Sequence, residues 1–252
     1  MEKAKQASES MKLAIILALS GGFMDAYSYI FRGHVFANAQ TGNMLLLGVN
    51  LAEGNFDLAL RYFFPICSFA IGITISDYIH LDESKKLHWR QKAVFIEAII
   101  LGIVAFIPTE YNLIANSLTS LACGIQVEAF RKVHGNAAAT TMCIGNLRSG
   151  TENWNLFIQT RNVKYLKKST LYYSLIICFV IGAILGNDVI KRCGQYALLG
   201  CSFLLTLAYI FMFDDRENSK NILENTSFMN IRIKNNPQNN TSFIDNLSLI
   251  IQ

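Results

Sequence analysis

Charge is scarce in this chain. Only 16% of its 252 residues are Asp, Glu, Lys or Arg, while 52% are hydrophobic; a soluble domain carries about 25% charged residues. That shortage excludes an ordinary water-soluble domain and places the chain in lipid. No Walker loop, dinucleotide fingerprint, HExxH run or nucleophile elbow is present, so nothing supports an enzyme and no cofactor is expected. The cysteines Cys67, Cys123, Cys143, Cys178, Cys193 and Cys201 lie in or beside apolar runs. With no CxxC and no Cys/His ligand spacing, they read as reduced, buried thiols, and no metal is expected. The net charge of +4 would raise nucleic acid as a partner, but Lys and Arg cluster between apolar runs. There they act as topology signals.

What is present is a series of apolar runs. Six approach the roughly 20 residues that a helix needs to cross a hydrocarbon core: 13–31, 57–79, 91–108, 112–130, 170–190 and 195–213. The first could pass for a secretory signal, but its apolar character continues to Ile30, so a membrane span explains the whole run. Two further stretches, Gln40 to Ala52 and Thr140 to Trp154, are too short or too polar to be obvious spans. The number of Lys and Arg left outside decides between topologies. If both short stretches re-enter, only Arg32, Arg61, Lys191 and Arg192 of 22 face out. If the first spans and the second re-enters, Lys3, Lys5, Lys12, Arg61, Lys191 and Arg192 do.

The expected fold is therefore all-α: a polytopic transmembrane helix bundle of six spans plus two re-entrant half-helices, with seven spans as the runner-up. An internal repeat at an offset of 103 supports it, matching Gly21 with Gly124, Asp25 with Glu128, and Gly42-Asn43 with Gly145-Asn146. Three spans per half make it a 3+3 inverted repeat. The boundaries follow: a cytoplasmic N-terminus at 1–12, a transmembrane domain at 13–213 with halves 13–108 and 112–213, and an Asn-rich, disordered cytoplasmic tail at 214–252.

Polar residues inside apolar runs mark the candidate site. Asp25 falls about three residues past the middle of the first run, where a carboxylate must face protein or a water cavity. Tyr29 shares its helical face. The run Asn38-Ala39-Gln40-Thr41-Gly42-Asn43 opens the first short stretch, and Gly145-Asn146 occupies the matching place in the second. Exposed N–H groups at a helix start can receive an anion or a carbonyl oxygen. Asn38 or Thr41 is expected to cap the first start, Thr140 and Thr141 the second, and Gly42 to allow close approach of the backbone. Arg148 is a candidate gate or anion contact. Glu128 pairs locally with Arg131 or Lys132. His34 and His134 are read as solvated loop residues, and Asp77, Asp188 and Glu97 as residues without a special role. The stretches 85–92 and 161–168 are read as basic loops.

The opening Gly21-Gly22-Phe23-Met24-Asp25-Ala26-Tyr27 and the block Phe36-Ala37-Asn38-Ala39-Gln40-Thr41-Gly42-Asn43 resemble the YoaK family of bacterial integral membrane proteins, defined by a domain of unknown function. The resemblance implies a multi-pass protein of the inner or plasma membrane of a bacterium. It brings no activity and no site with it. From the residues, the expected function is a small-solute transporter or channel with a polar centre between two inverted halves. The alternative is a non-transporting membrane scaffold or sensor subunit. Its partners are the lipid bilayer and a small solute or ion, with no nucleic acid, and a homo-oligomer is compatible with such a bundle. Both termini are expected in the cytoplasm.

Overall fold

The computed structural model describes residues 10–81 and 86–212. The tail assigned to 214–252 and most of the 1–12 segment lie outside them. The chain forms α1 (Met11–Phe31), α2 (Gln40–Ala52), α3 (Phe56–Leu81), α4 (Lys86–Val104), α5 (Asn112–Ala129), a small hairpin of β1 (Lys132–Val133) and β2 (Asn136–Ala137), α6 (Cys143–Thr160) and α7 (Val163–Cys193). A 3-10 turn, Gly194–Leu198, leads into the last helix, α8, at 199–212.

Two helix starts depart from the sequence reading. The basic stretch 161–168 is helical from Val163, and α4 already begins at Lys86. Lys is a good helix former, so a helix continues where its apolar run stops. The second short helix is Cys143–Thr160, later than the expected 140–154.

An apolar core encloses several polar side chains, and the exterior is rich in large apolar ones. Ser20, Asn43, Ser76, Glu97, Ser120 and Gln126 are wholly buried, while Ile71, Phe95, Ile99, Ile177, Ile184 and Phe203 are exposed. Such a surface suits hydrocarbon. By length and composition, Met11–Phe31, Phe56–His80 and Val163–Met212 are apolar enough to cross a membrane.

Two glycine crossings bring helix backbones together. A methyl group at Gly22 in α1 would overlap the carbonyl oxygen of Phe179 in α7, and one at Gly182 would overlap that of Leu19. The same contact joins α3 and α5: Gly72 meets the carbonyl of Leu121, and Gly124 that of Phe69. Small residues allow this approach where water supplies no hydrophobic force between helices. Gly22 and Gly124 thus each meet a backbone carbonyl of a neighbouring helix, whereas Gly21 faces the Thr141 side chain.

Phe31 lies against Gly194, and Leu19 against Gly182, so α1 and α7 run the same way. The α5 helix runs opposite to α1, since Arg32 meets Asn112 (3.1 Å) and Gln126 meets Leu17 (3.4 Å). Ser202 donates to the Ala98 carbonyl at 2.7 Å while Phe95 packs on Tyr209, which sets α8 antiparallel to α4.

Arg32, counted from the sequence among the charges on the outer side, is buried within the bundle at 1% exposure. Its Nε donates to the Tyr27 hydroxyl at 3.0 Å, Nη1 to the Pro108 carbonyl and Asn112 Oδ1, and Nη2 to the Val104 and Ile107 carbonyls at 3.1 and 2.8 Å. All five guanidinium donors are used. The Val104 carbonyl is the last of α4 and those of Ile107 and Pro108 follow just beyond it, so the guanidinium sits at the negative end of that helix's dipole, which stabilises a cation. Tyr27 in turn donates to the Gln195 carbonyl at 2.9 Å. One side chain therefore ties α1 to the α4–α5 connection and, through Tyr27, to the α7–α8 connection.

Candidate functional site

The residues before α2 leave the end of α1 and run back along it. Asn38 reaches the middle of that helix, its backbone N–H donating to Asp25 Oδ1 at 2.7 Å and its Nδ2 to the Gly21 carbonyl at 3.1 Å. The N–H groups of Ala37 and Ala39 also bear on the Asp25 carboxylate. From there α2 returns, over 13 residues, to the end the chain came from, where Arg61 of α3 shares a small cavity with Arg32 and Asn112. A matching path precedes α6. Thr140 accepts from Gln126 Nε2 at 3.2 Å, and Thr141 packs on Gly21, before α6 leads back to the end where α1 begins.

An asparagine pins each approach to its helix. Asn43 Nδ2 donates to the Phe36 carbonyl at 2.8 Å, and Asn146 Nδ2 to the Ala139 carbonyl at 2.6 Å, each seven residues back. Asn43 Oδ1 also accepts from Phe36 N–H at 3.0 Å, and Asn43 Nδ2 bonds Gln40 Oε1 at 2.8 Å. Gln40 reaches the Ala37 carbonyl at 2.8 Å and Ser120 of α5 at 3.3 Å.

The two helix starts open on one cavity of about 970 Å³, near the upper end for a small-molecule site. Of the residues singled out in the sequence, Asp25, Tyr29, Asn38, Gln40, Thr41, Gly145 and Asn146 line it. Gly42 and Asn43 do not; Gly42 lies against the Phe36 ring, whose position Asn43 fixes. Arg148 is exposed and outside the lining, so a gating role has no support in its placement. Glu128 pairs with Arg131, as its spacing predicts, and Arg131 also reaches Asp77 at 3.5 Å. Arg131 lines the cavity and was missed; a charge just beyond a run's end carries no signal of its own.

Expected caps are absent. The N-cap of α2 is Ala39 and that of α6 is Met142, neither with a side-chain cap. Asn38 and Thr140 are engaged elsewhere, and the Thr141 hydroxyl is buried with no hydrogen-bond partner among the described residues. The two starts therefore differ electrostatically. A carboxylate, Asp25, already meets the approach to α2, whereas the neutral amide of Gln126 meets the approach to α6. His34 is exposed and meets the Tyr29 ring edge-on, whereas His134 is half-buried, contrary to its reading as solvated.

Glu97 also departs from expectation. It is wholly buried in α4, and neither carboxylate oxygen has a hydrogen-bond partner among the described residues. Burial of such a group without partners is costly. Glu97→Met is therefore expected to raise stability by about 1 kcal/mol or more, seen as a higher melting temperature in detergent. A lower melting temperature would show that the carboxyl has a stabilising role.

The match to the family model described as "Protein of unknown function (DUF1275)" covers residues 13–211. The chain is 28% identical over 185 residues to the UPF0700 transmembrane protein YoaK of Bacillus subtilis (strain 168), covering 69% of this chain and 80% of that one. No solved structure matches. With its apolar exterior and transmembrane relative, this is an all-α membrane protein, and it belongs to the DUF1275 family.

Proposed function

We propose that the protein is a small-solute transporter or channel whose solute occupies the cavity between the starts of α2 and α6. The observation that carries this reading is the convergence of two helix N-termini, approached from opposite ends of the bundle, on a cavity that also holds Asp25. Irregular backbone at membrane depth is tolerated only around protein or a water-filled cavity, and paired half-helix starts are a recurrent way to hold a solute. In this reading α1, α3, α4, α5, α7 and α8 span, and α2 and α6 re-enter from opposite faces. The two glycine crossings and the two asparagine pins support an inverted repeat, 3+3, with both termini in the cytoplasm.

The test is thermal unfolding of the purified protein against a panel of small metabolites and ions at two pH values, beside Asp25→Asn. A solute at 100 times its Kd adds about 2.7 kcal/mol, a rise of roughly 5–10 °C for a chain of this size. Loss of that rise in an Asp25→Asn variant whose own melting temperature falls by only a few degrees is the expected result.

The knitted contacts of Asp25, Gln40 and Asn43 favour a second reading, a scaffold in which the same polar groups fix packing. An Asp25→Asn protein that is badly destabilised, with no stabilising solute for the native chain, would establish that reading instead.

A further inference from the structure

A second cavity, of about 520 Å³, lies apart from the α2–α6 site, between the β1–β2 hairpin and the first turns of α7. Its lining includes Lys164, Lys167, Lys168, His134 and Asn136, and no acidic residue. The three ammonium groups come from the first two turns of one helix. Spacing of three and four residues puts Lys164, Lys167 and Lys168 on one side of α7. None of them forms an ion pair among the described residues. Like charges gathered on one side of a helix around a shared cavity repel one another, an arrangement that a bound anion relieves.

The opposite wall is rigid. His134 and Gly135 both take positive φ, 49° and 74°, in a two-residue hairpin turn, as the tight turn between antiparallel strands requires. Asn136 Nδ2 bonds back to the His134 carbonyl at 3.2 Å, and the Tyr172 hydroxyl donates to the Ala137 carbonyl at 3.1 Å. One hydrogen bond thus braces the turn and another fixes the hairpin to α7. The positive end of the α7 dipole adds to the field of the lysines.

We infer that this cavity binds a phosphate group, held by Lys164, Lys167 and Lys168 against the hairpin. The volume suits a phosphate and the first atoms of what it is attached to. Two sources share that chemistry: the headgroup of an anionic phospholipid, and a free phosphate or soluble phosphoester. The site lies at the end of the bundle where α1 begins, alongside Val133, Ala138 and Leu171. It does not depend on the transport reading.

The experiment uses the full chain purified in detergent and carried into nanodiscs. Native mass spectrometry compares retention of phosphatidylglycerol with that of phosphatidylcholine, and thermal unfolding is followed with inorganic phosphate at millimolar concentration against chloride of equal ionic strength. Preferential retention of phosphatidylglycerol without a phosphate shift assigns a lipid headgroup; a phosphate shift assigns a soluble ligand. Each lysine near a lipid surface contributes about fivefold in affinity, so Lys164→Gln/Lys167→Gln/Lys168→Gln should lose roughly a hundredfold. Lys191→Gln/Arg192→Gln, which removes charge at the other end of α7, should lose none. The single variants, each expected to lose about fivefold, decide the matter if the triple variant does not fold. Equal retention of both lipids with no phosphate shift overturns the inference, as does binding that the lysine variants leave unchanged.

Discussion

Gly22→Leu is expected to prevent the bundle from assembling. The new Cβ would overlap the Phe179 carbonyl oxygen and stand 3.0 Å from the Ala183 nitrogen. Both are backbone atoms that cannot rotate away. The opposite face offers no relief, because Gly182 is equally tight on the Leu19 carbonyl. Overpacking among flexible side chains costs about 1–3 kcal/mol, and pushing two helix backbones apart exceeds that. Net stabilities of only about 5–15 kcal/mol leave little margin. Size-exclusion chromatography and thermal unfolding of Gly22→Leu should show aggregated or unfolded protein. Gly48→Leu, at a helical glycine with no heavy atom near its Cβ position, is the control and should be neutral or slightly stabilising, since glycine disfavours helix. A Gly22→Leu protein that elutes and melts like the native chain would disprove the close crossing.

Arg32→Met should cost about 3–5 kcal/mol, the range for removing one partner from a buried polar arrangement, and lower the melting temperature by about 10 °C. The carbonyls of Val104, Ile107 and Pro108, and Asn112 Oδ1, would each lose a donor. Arg32→Lys should recover only part of the loss, since an ammonium offers three donors without the planar fork. Full recovery by lysine would mean that charge alone matters there. A melting temperature unchanged in Arg32→Met would remove the residue from the stability argument altogether.

These two residues show unequal legibility in the sequence. The helices around Gly22 follow from apolar runs of spanning length, and the short α2 from a run too short to span. The polar block at the start of α2 was visible because Asn, Gln and Thr are costly inside apolar sequence, and most of that block lines the cavity. The burial of Arg32 was not legible, because an arginine just past an apolar run has the same signature whether it faces water or folds under the bundle. Its acceptors are backbone carbonyls, which every residue has. Glu97 escaped for a related reason: position in the sequence shows depth in a run, not which side of the helix packs inward. The starts of α4 and α7 were placed late because hydropathy reports the thickness of hydrocarbon, whereas a helix continues for as long as its backbone bonds do. The caps failed because Ala39 and Met142 have no side chain able to cap.

The Gly22–Gly182 crossing also has a meaning in time. Those two glycines are separated by 160 positions, and synthesis proceeds at roughly 5–20 residues per second. The first helix therefore leaves the ribosome about 10 to 30 seconds before its partner exists. Throughout that interval its glycine face has no α7 to pack against, and Tyr27 has no Gln195. A nascent chain that stalled after α6 would present that bare seam to the insertion machinery and to membrane quality control.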